Sequence, residues 1–116
     1  MKNILGTQKN LKFYYSNSQL SYIYKNSGDF CVETIYDENG NELFYKNSHG
    51  YSSKTTYDEN SNELFHKNSN GYYSQKTYDE NGNELTFEDS NGFWHNYTYD
   101  ENGNELTYKN SNGIKK

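Results

Sequence analysis

"TYDENGNELTYKNSNG" occupies residues 98–113, and close copies run from Ile35 ("IYDENGNELFYKNSHG"), Thr56 ("TYDENSNELFHKNSNG") and Thr77 ("TYDENGNELTFEDSNG"). Each copy holds two alternating stretches divided by a turn-forming loop. In "GYYSQKTY" (71–78), Tyr72, Ser74, Lys76 and Tyr78 fall on one face and Tyr73, Gln75 and Thr77 on the other. In "NELTF" (83–87), Leu85 and Phe87 fall together, opposite Thr86. Between the two stretches, Asn-Gly offers the positive φ that a tight hairpin needs. Asn60-Ser61 is the one departure, and there Asn is expected to take the left-handed conformation.

The period is 21 residues without slippage: Tyr36, Tyr57, Tyr78 and Tyr99 lie in register, as do Leu43, Leu64, Leu85 and Leu106. "YIYKNSGDF" (22–30) aligns with "LFYKNSHGY" (43–51) as a degenerate earlier unit. The expected fold is all-β: an antiparallel β-hairpin repeat array forming an open, twisted meander of roughly ten strands. A single repeat domain over residues 1–116 is expected, with a cap over 1–13 and about five hairpin repeats over 14–114. Equivalent residues then stand about 9.6 Å apart, so like side chains form ladders.

Composition narrows the function. Apolar residues make up 30% of the chain, and fourteen Tyr, six Phe and Trp94 supply most of that surface. The net charge is −5 and all eleven basic residues are Lys, which argues against direct nucleic-acid binding. Cys31 is the single cysteine, so no internal disulfide can form. No apolar run suggests a membrane span or a secretory signal, and a cytoplasmic, mostly monomeric protein is expected, with Lys115 and Lys116 guarding an open edge near Ile114.

Catalysis is not expected. His49, His66 and His95 occupy different repeat positions, and the glycines open hairpins, not phosphate-binding helices. The "DENGNE" loops echo the start of a calcium-binding EF-hand but lack its twelve-residue frame and terminal Glu. No cofactor or metal is expected.

Acidity is the functional signal. Asp37, Glu38 and Glu42, then Asp58, Glu59 and Glu63, then Asp79, Glu80 and Glu84, and last Asp100, Glu101 and Glu105 are twelve of the sixteen acids, and hairpin geometry sets them at one edge of the sheet. Such a row suits a protein with a basic, nucleic-acid-binding groove, and Trp94 is the candidate aromatic anchor.

The segment "NSNGYYSQKTYDENGNEL" resembles the YD repeat of the Rhs and teneurin proteins, whose units follow a Gly…Tyr-Asp-x-x-Gly-x-Leu pattern. The resemblance covers residues 22–113 and implies the hairpin geometry; in that family long arrays enclose a toxin, which five units cannot do. Through "NSNGYY" there is a weaker likeness to the aromatic repeats of choline- and glucan-binding proteins, without their Gly-Trp signature. In size, charge and its Asn- and Lys-rich style the chain is similar to small phage and prophage proteins, among them anti-CRISPR proteins. That likeness implies a non-enzymatic inhibitor of a nucleic-acid-processing enzyme, such as a type VI RNA-guided nuclease with its guide RNA. A carbohydrate-binding module, and a structural fragment or partner of a YD-repeat toxin, are the alternatives.

Overall fold

A computed structural model describes residues 9–113. Ten strands follow one another in a single open antiparallel sheet: β1 (Lys9–Tyr14), β2 (Leu20–Asn26), β3 (Cys31–Tyr36), β4 (Glu42–Asn47), β5 (Ser52–Tyr57), β6 (Glu63–Asn68), β7 (Tyr73–Tyr78), β8 (Glu84–Asp89), β9 (Trp94–Tyr99) and β10 (Glu105–Asn110). Among the described residues there is no helix. Strand β1 begins inside the stretch read as a cap, and Ile114, Lys115 and Lys116 lie outside the described residues. By their contacts the described residues fall into two units, 9–55 with 68–70 and 56–67 with 71–113.

The alternation read from the sequence is the one the strands adopt. In β7, Ser74, Lys76 and Tyr78 are at least half-buried, while Tyr73, Gln75 and Thr77 are exposed. Leu85 and Phe87 share the covered face of β8, and Thr86 faces out.

The covered face is unusual in what it buries. Ile23 is the one buried hydrophobic side chain among the described residues; Thr34, Ser53, Thr55, Ser74 and Asn110 are buried beside it. Cross-strand pairing accounts for this, because Tyr45 faces Ser53 and His66 faces Ser74. A large ring on one strand leans over a small residue on the next, so the ring supplies the apolar area and the small residue supplies the room.

The turns differ from the expected two-residue Asn-Gly hairpins. Gly40 N–H donates to Asp37 O at 3.1 Å and Asp37 N–H to Asn41 O at 2.9 Å, and the same pair of bonds recurs at Asp79 and Asp100. Asn39, Asn81 and Asn102 keep negative φ, and only the glycine is left-handed. This is a longer loop, Asp-Glu-Asn-Gly, closed by one left-handed residue and a bulge that shifts the register at Tyr36 and Tyr78. The turn is therefore centred one residue earlier than the sequence suggested. Where Gly is replaced, Ser61 and not Asn60 takes positive φ, at 69°.

Ser61 thus pays a steric penalty that glycine avoids, since a left-handed L-residue costs about 1–2 kcal/mol. Ser61→Gly is expected to stabilise the protein by about 1 kcal/mol in urea denaturation. No change, or a loss, would show that Ser61 is not strained.

The first hairpin carries the irregularity expected of a degenerate unit. Tyr14 pairs with Leu20 where Tyr36 pairs with Glu42, so Tyr14, not Tyr15, occupies the position of the repeat tyrosine. Ser18, at φ 71°, stands in for the turn glycine.

Candidate functional site: the stacked acidic loops

Each acidic loop is organised by its aspartate. Asp79 Oδ1 accepts the N–H groups of Asn81 and Asn83, both at 2.9 Å, and Oδ2 accepts the Asn83 side-chain amide at 3.2 Å. Asp37, Asp58 and Asp100 make the same three bonds within their own loops. These donors favour the charged form. The backbone N–H of Asn83 holds the Asp79 carboxyl below its ordinary value, as that of Asn62 does for Asp58 and that of Asn104 for Asp100. For Asp37, burial pushes upward, and the loop N–H groups and the Asn41 amide outweigh it.

The twelve acids therefore divide by job. The four aspartates are half-buried and bonded into their turns, whereas Glu38, Glu59, Glu80 and Glu101 are exposed at the loop tips. Glu42, Glu63 and Glu84 are half-buried, and Glu105 is exposed. Glu84 turns to the covered face, where its Oε2 lies 3.3 Å from His95 Nε2. The His95 ring is packed by Phe87, Phe93, Tyr97 and Tyr108 at centroid distances of 5.0–5.8 Å.

Neighbouring loops pack closely. In the second unit, a Cβ on Gly82 would stand 3.9 Å from the Asn62 amide, and one on Gly103 would stand 3.8 Å from that of Asn83. In the first unit, the Asn17 amide donates to Glu38 O at 3.1 Å and Tyr15 Oη to Tyr36 O at 2.6 Å. The tip glutamates thus stand on rigid turns.

Two devices that bind strand to strand, one between successive hairpins and one within each hairpin, escaped the sequence reading. Tyr78 Oη donates to Glu63 O at 2.7 Å and Tyr99 Oη to Glu84 O at 2.6 Å, so the repeat tyrosine bonds the backbone of the preceding unit. The serines of the "KNS" and "EDS" stretches clamp a neighbouring strand. Ser111 N–H donates to Trp94 O at 2.9 Å, and Ser111 Oγ accepts Trp94 N–H at 3.2 Å. Ser48, Ser69 and Ser90 do the same to Cys31, Ser52 and Tyr73. The strict period was the available signal, because a contact between repeats requires both partners in every copy.

Trp94 is 37% exposed, on the outer face opposite Glu88. The Ser111 clamp bonds both its N–H and its C=O, leaving an exposed ring on a strand tied to its neighbour. Tyr73, also exposed, stacks on Phe65 at 6.2 Å. His49 packs on Phe30 at 4.9 Å, away from His66 and His95 in the chain, and Cys31 Sγ accepts the Tyr24 hydroxyl at 3.6 Å.

Acid should loosen the loops. The folded Asp37, Asp58, Asp79 and Asp100 carry lowered pKa values. Their contribution is therefore fully present above the ordinary Asp value of about 4 and is lost as pH falls through the lower folded values. Urea midpoints measured from pH 5 downward should fall, and Asp79→Asn should flatten that fall. An unchanged profile in Asp79→Asn would show that the loop bonds do not carry the pH dependence.

Fold and loops together define a tandem β-hairpin repeat protein with ordered acidic turns. Among solved structures it is similar to the TcdB2-TccC3-Cdc42 complex, with a TM-score of 0.60 and 16% identity over 89% of this chain, and to TcdB2-TccC3-TEV, with a TM-score of 0.59 and 16% identity over 90%. These neighbours belong to a toxin complex of the Rhs/YD-repeat type, and the shared feature is the antiparallel hairpin meander. The chain spans about 5% of the length of each. No family model matches, and no curated protein matches.

Proposed function

We propose that the protein is a non-catalytic binding module that presents its loop-tip glutamates to a partner with a basic, nucleic-acid-binding groove. The observation that carries this reading is the division of labour in the loops of the second unit. Asp58, Asp79 and Asp100 are committed to turn geometry, and Glu59, Glu80 and Glu101 are left exposed on the turns so built. Fixed like charges on neighbouring turns attract a basic surface and speed encounter with it. Trp94, exposed on a clamped strand, is the aromatic anchor of the same module.

In its specific form the proposal is a phage- or prophage-type counter-defence protein that inhibits an RNA-guided nuclease of type VI in the bacterial cytoplasm. The test is target-RNA cleavage by the guide-loaded nuclease at increasing concentrations of this chain. Dose-dependent inhibition is expected, and undiminished cleavage at saturating chain would overturn the counter-defence reading.

A second reading draws on the hairpin meander shared with the TcdB2-TccC3 structures: a structural segment or partner of a YD-repeat toxin. Co-elution of the chain with such a toxin encoded beside it would favour this reading over the first.

A further inference from the structure

We propose that the β10 edge of one copy of this chain accepts the β1 edge of a second copy, continuing the sheet head to tail. Among the described residues, β10 has β9 as its one neighbour and β1 has β2. The two edges carry complementary halves of the bond that Tyr78 makes to Glu63 and Tyr99 makes to Glu84.

The acceptor half is on β10. Within the array, the carbonyls of Glu63 and Glu84 each take a tyrosine hydroxyl from the next unit. Glu105 is the equivalent residue, and among the described residues no hydroxyl reaches its carbonyl. Leu43, Leu64 and Leu85 are half-buried, yet the equivalent Leu106 is 58% exposed. The difference is what one further strand would cover.

The donor half is on β1. Tyr14 holds the position that Tyr36, Tyr78 and Tyr99 hold in their hairpins, as its pairing with Leu20 across the bulge shows. Its side chain is 58% exposed and its hydroxyl makes no hydrogen bond among the described residues, while Tyr15 is already committed to Tyr36 O. One end lacks a donor, and the other carries a spare one.

The register follows from the internal interfaces. Thr86 pairs with Asn96, three residues before Tyr99; Leu11 lies three residues before Tyr14. Thr107 therefore faces Leu11 of the second copy, and Tyr108 faces its Asn10. Sidedness agrees: Thr107 and Leu11 are exposed, and Tyr108 and Asn10 fall on the opposite faces of their strands. The Tyr14 hydroxyl then reaches the Glu105 carbonyl. Each copy carries a net charge of −5, so added salt screens the repulsion between copies and strengthens the contact, the reverse of what the acidic loops should show toward a basic partner. Such a contact uses different surfaces on the two copies and leaves an edge free for the next.

Two blocked variants test this. Leu11→Lys with Tyr14→Phe blocks the β1 edge, and Leu106→Lys with Thr107→Lys blocks the β10 edge, each checked for its β-sheet circular dichroism. Sedimentation of the parent chain should show association that grows with concentration and with salt, about fivefold weaker in Tyr14→Phe alone. Each blocked variant alone should be monomeric, and an equimolar mixture should form dimers and nothing larger. A parent that stays monomeric up to its solubility limit would overturn the proposal. So would a β1-blocked variant that dimerises by itself, which would show two β10 edges pairing with each other.

Discussion

Tyr97→Ala is expected to cost about 2–3 kcal/mol of stability, while Tyr97→Phe is nearly neutral. Tyr97 is the hub of the ring cluster of the second unit, 4.9 Å from Tyr108, 5.9 Å from Tyr99 and 5.4 Å from His95. With so few aliphatic side chains on the covered face, rings supply the area that Leu and Val supply elsewhere, so truncating one has an outsized effect. Its hydroxyl makes no hydrogen bond among the described residues, and Phe keeps the packing. Tyr99 is the contrast: Tyr99→Phe keeps the ring but removes the 2.6 Å bond to Glu84 O, and should cost about 1 kcal/mol. Denaturant midpoints of the three variants decide the matter. Equal effects of the two Phe substitutions would remove the distinction between packing tyrosines and bonding tyrosines.

Replacing Glu59, Glu80 and Glu101 together with Gln should weaken binding to a basic partner by tenfold or more and reduce its salt dependence, leaving the sheet intact. The magnitude rests on three like charges acting together, each contributing about 0.5–1 kcal/mol at an exposed rim. Any one change should matter much less, because the charges share their field across loops about 9.6 Å apart. The tip glutamates are the right targets because Asp79→Asn or Asp100→Asn would also disturb the loop that carries the charge. With the type VI nuclease as partner, the readout is inhibition of target cleavage against salt concentration. Full inhibition by the triple variant with an unchanged salt slope would reject the acidic-loop mechanism. Loss of inhibition in Trp94→Ala alone would move the contact to the outer face.

Most of the architecture was legible in the sequence. A strict 21-residue period, two alternating stretches per period and glycine at every repeat turn but that of Ser61 leave few folds open but an antiparallel meander, and residues such as Ser74 and Leu85 sit on the faces assigned to them. The loop acids were legible too, as a cluster of charge. What the sequence did not separate was Asp from Glu within that cluster, because net charge counts them alike. Only the folded loop aims Asp79 at three donors and leaves Glu80 in water. The turn was misplaced by one residue for a related reason: Asn-Gly fits a two-residue hairpin locally, but the bonds from Asp37 to Gly40 and Asn41 select the longer loop.

The repeat's own logic belonged to the tertiary structure. The sequence by itself determined the period, the alternation and the positions that must match from copy to copy. It did not say why Tyr and Ser are among them. Tyr99 reaches back 15 residues to Glu84, and Ser111 reaches back 17 to Trp94. The first crosses from one hairpin to the next and the second closes the open end of its own hairpin, so both exist only once strands lie side by side about 4.8 Å apart. Local propensity sees one hairpin at a time, and the bonds that make this chain an array lie between hairpins.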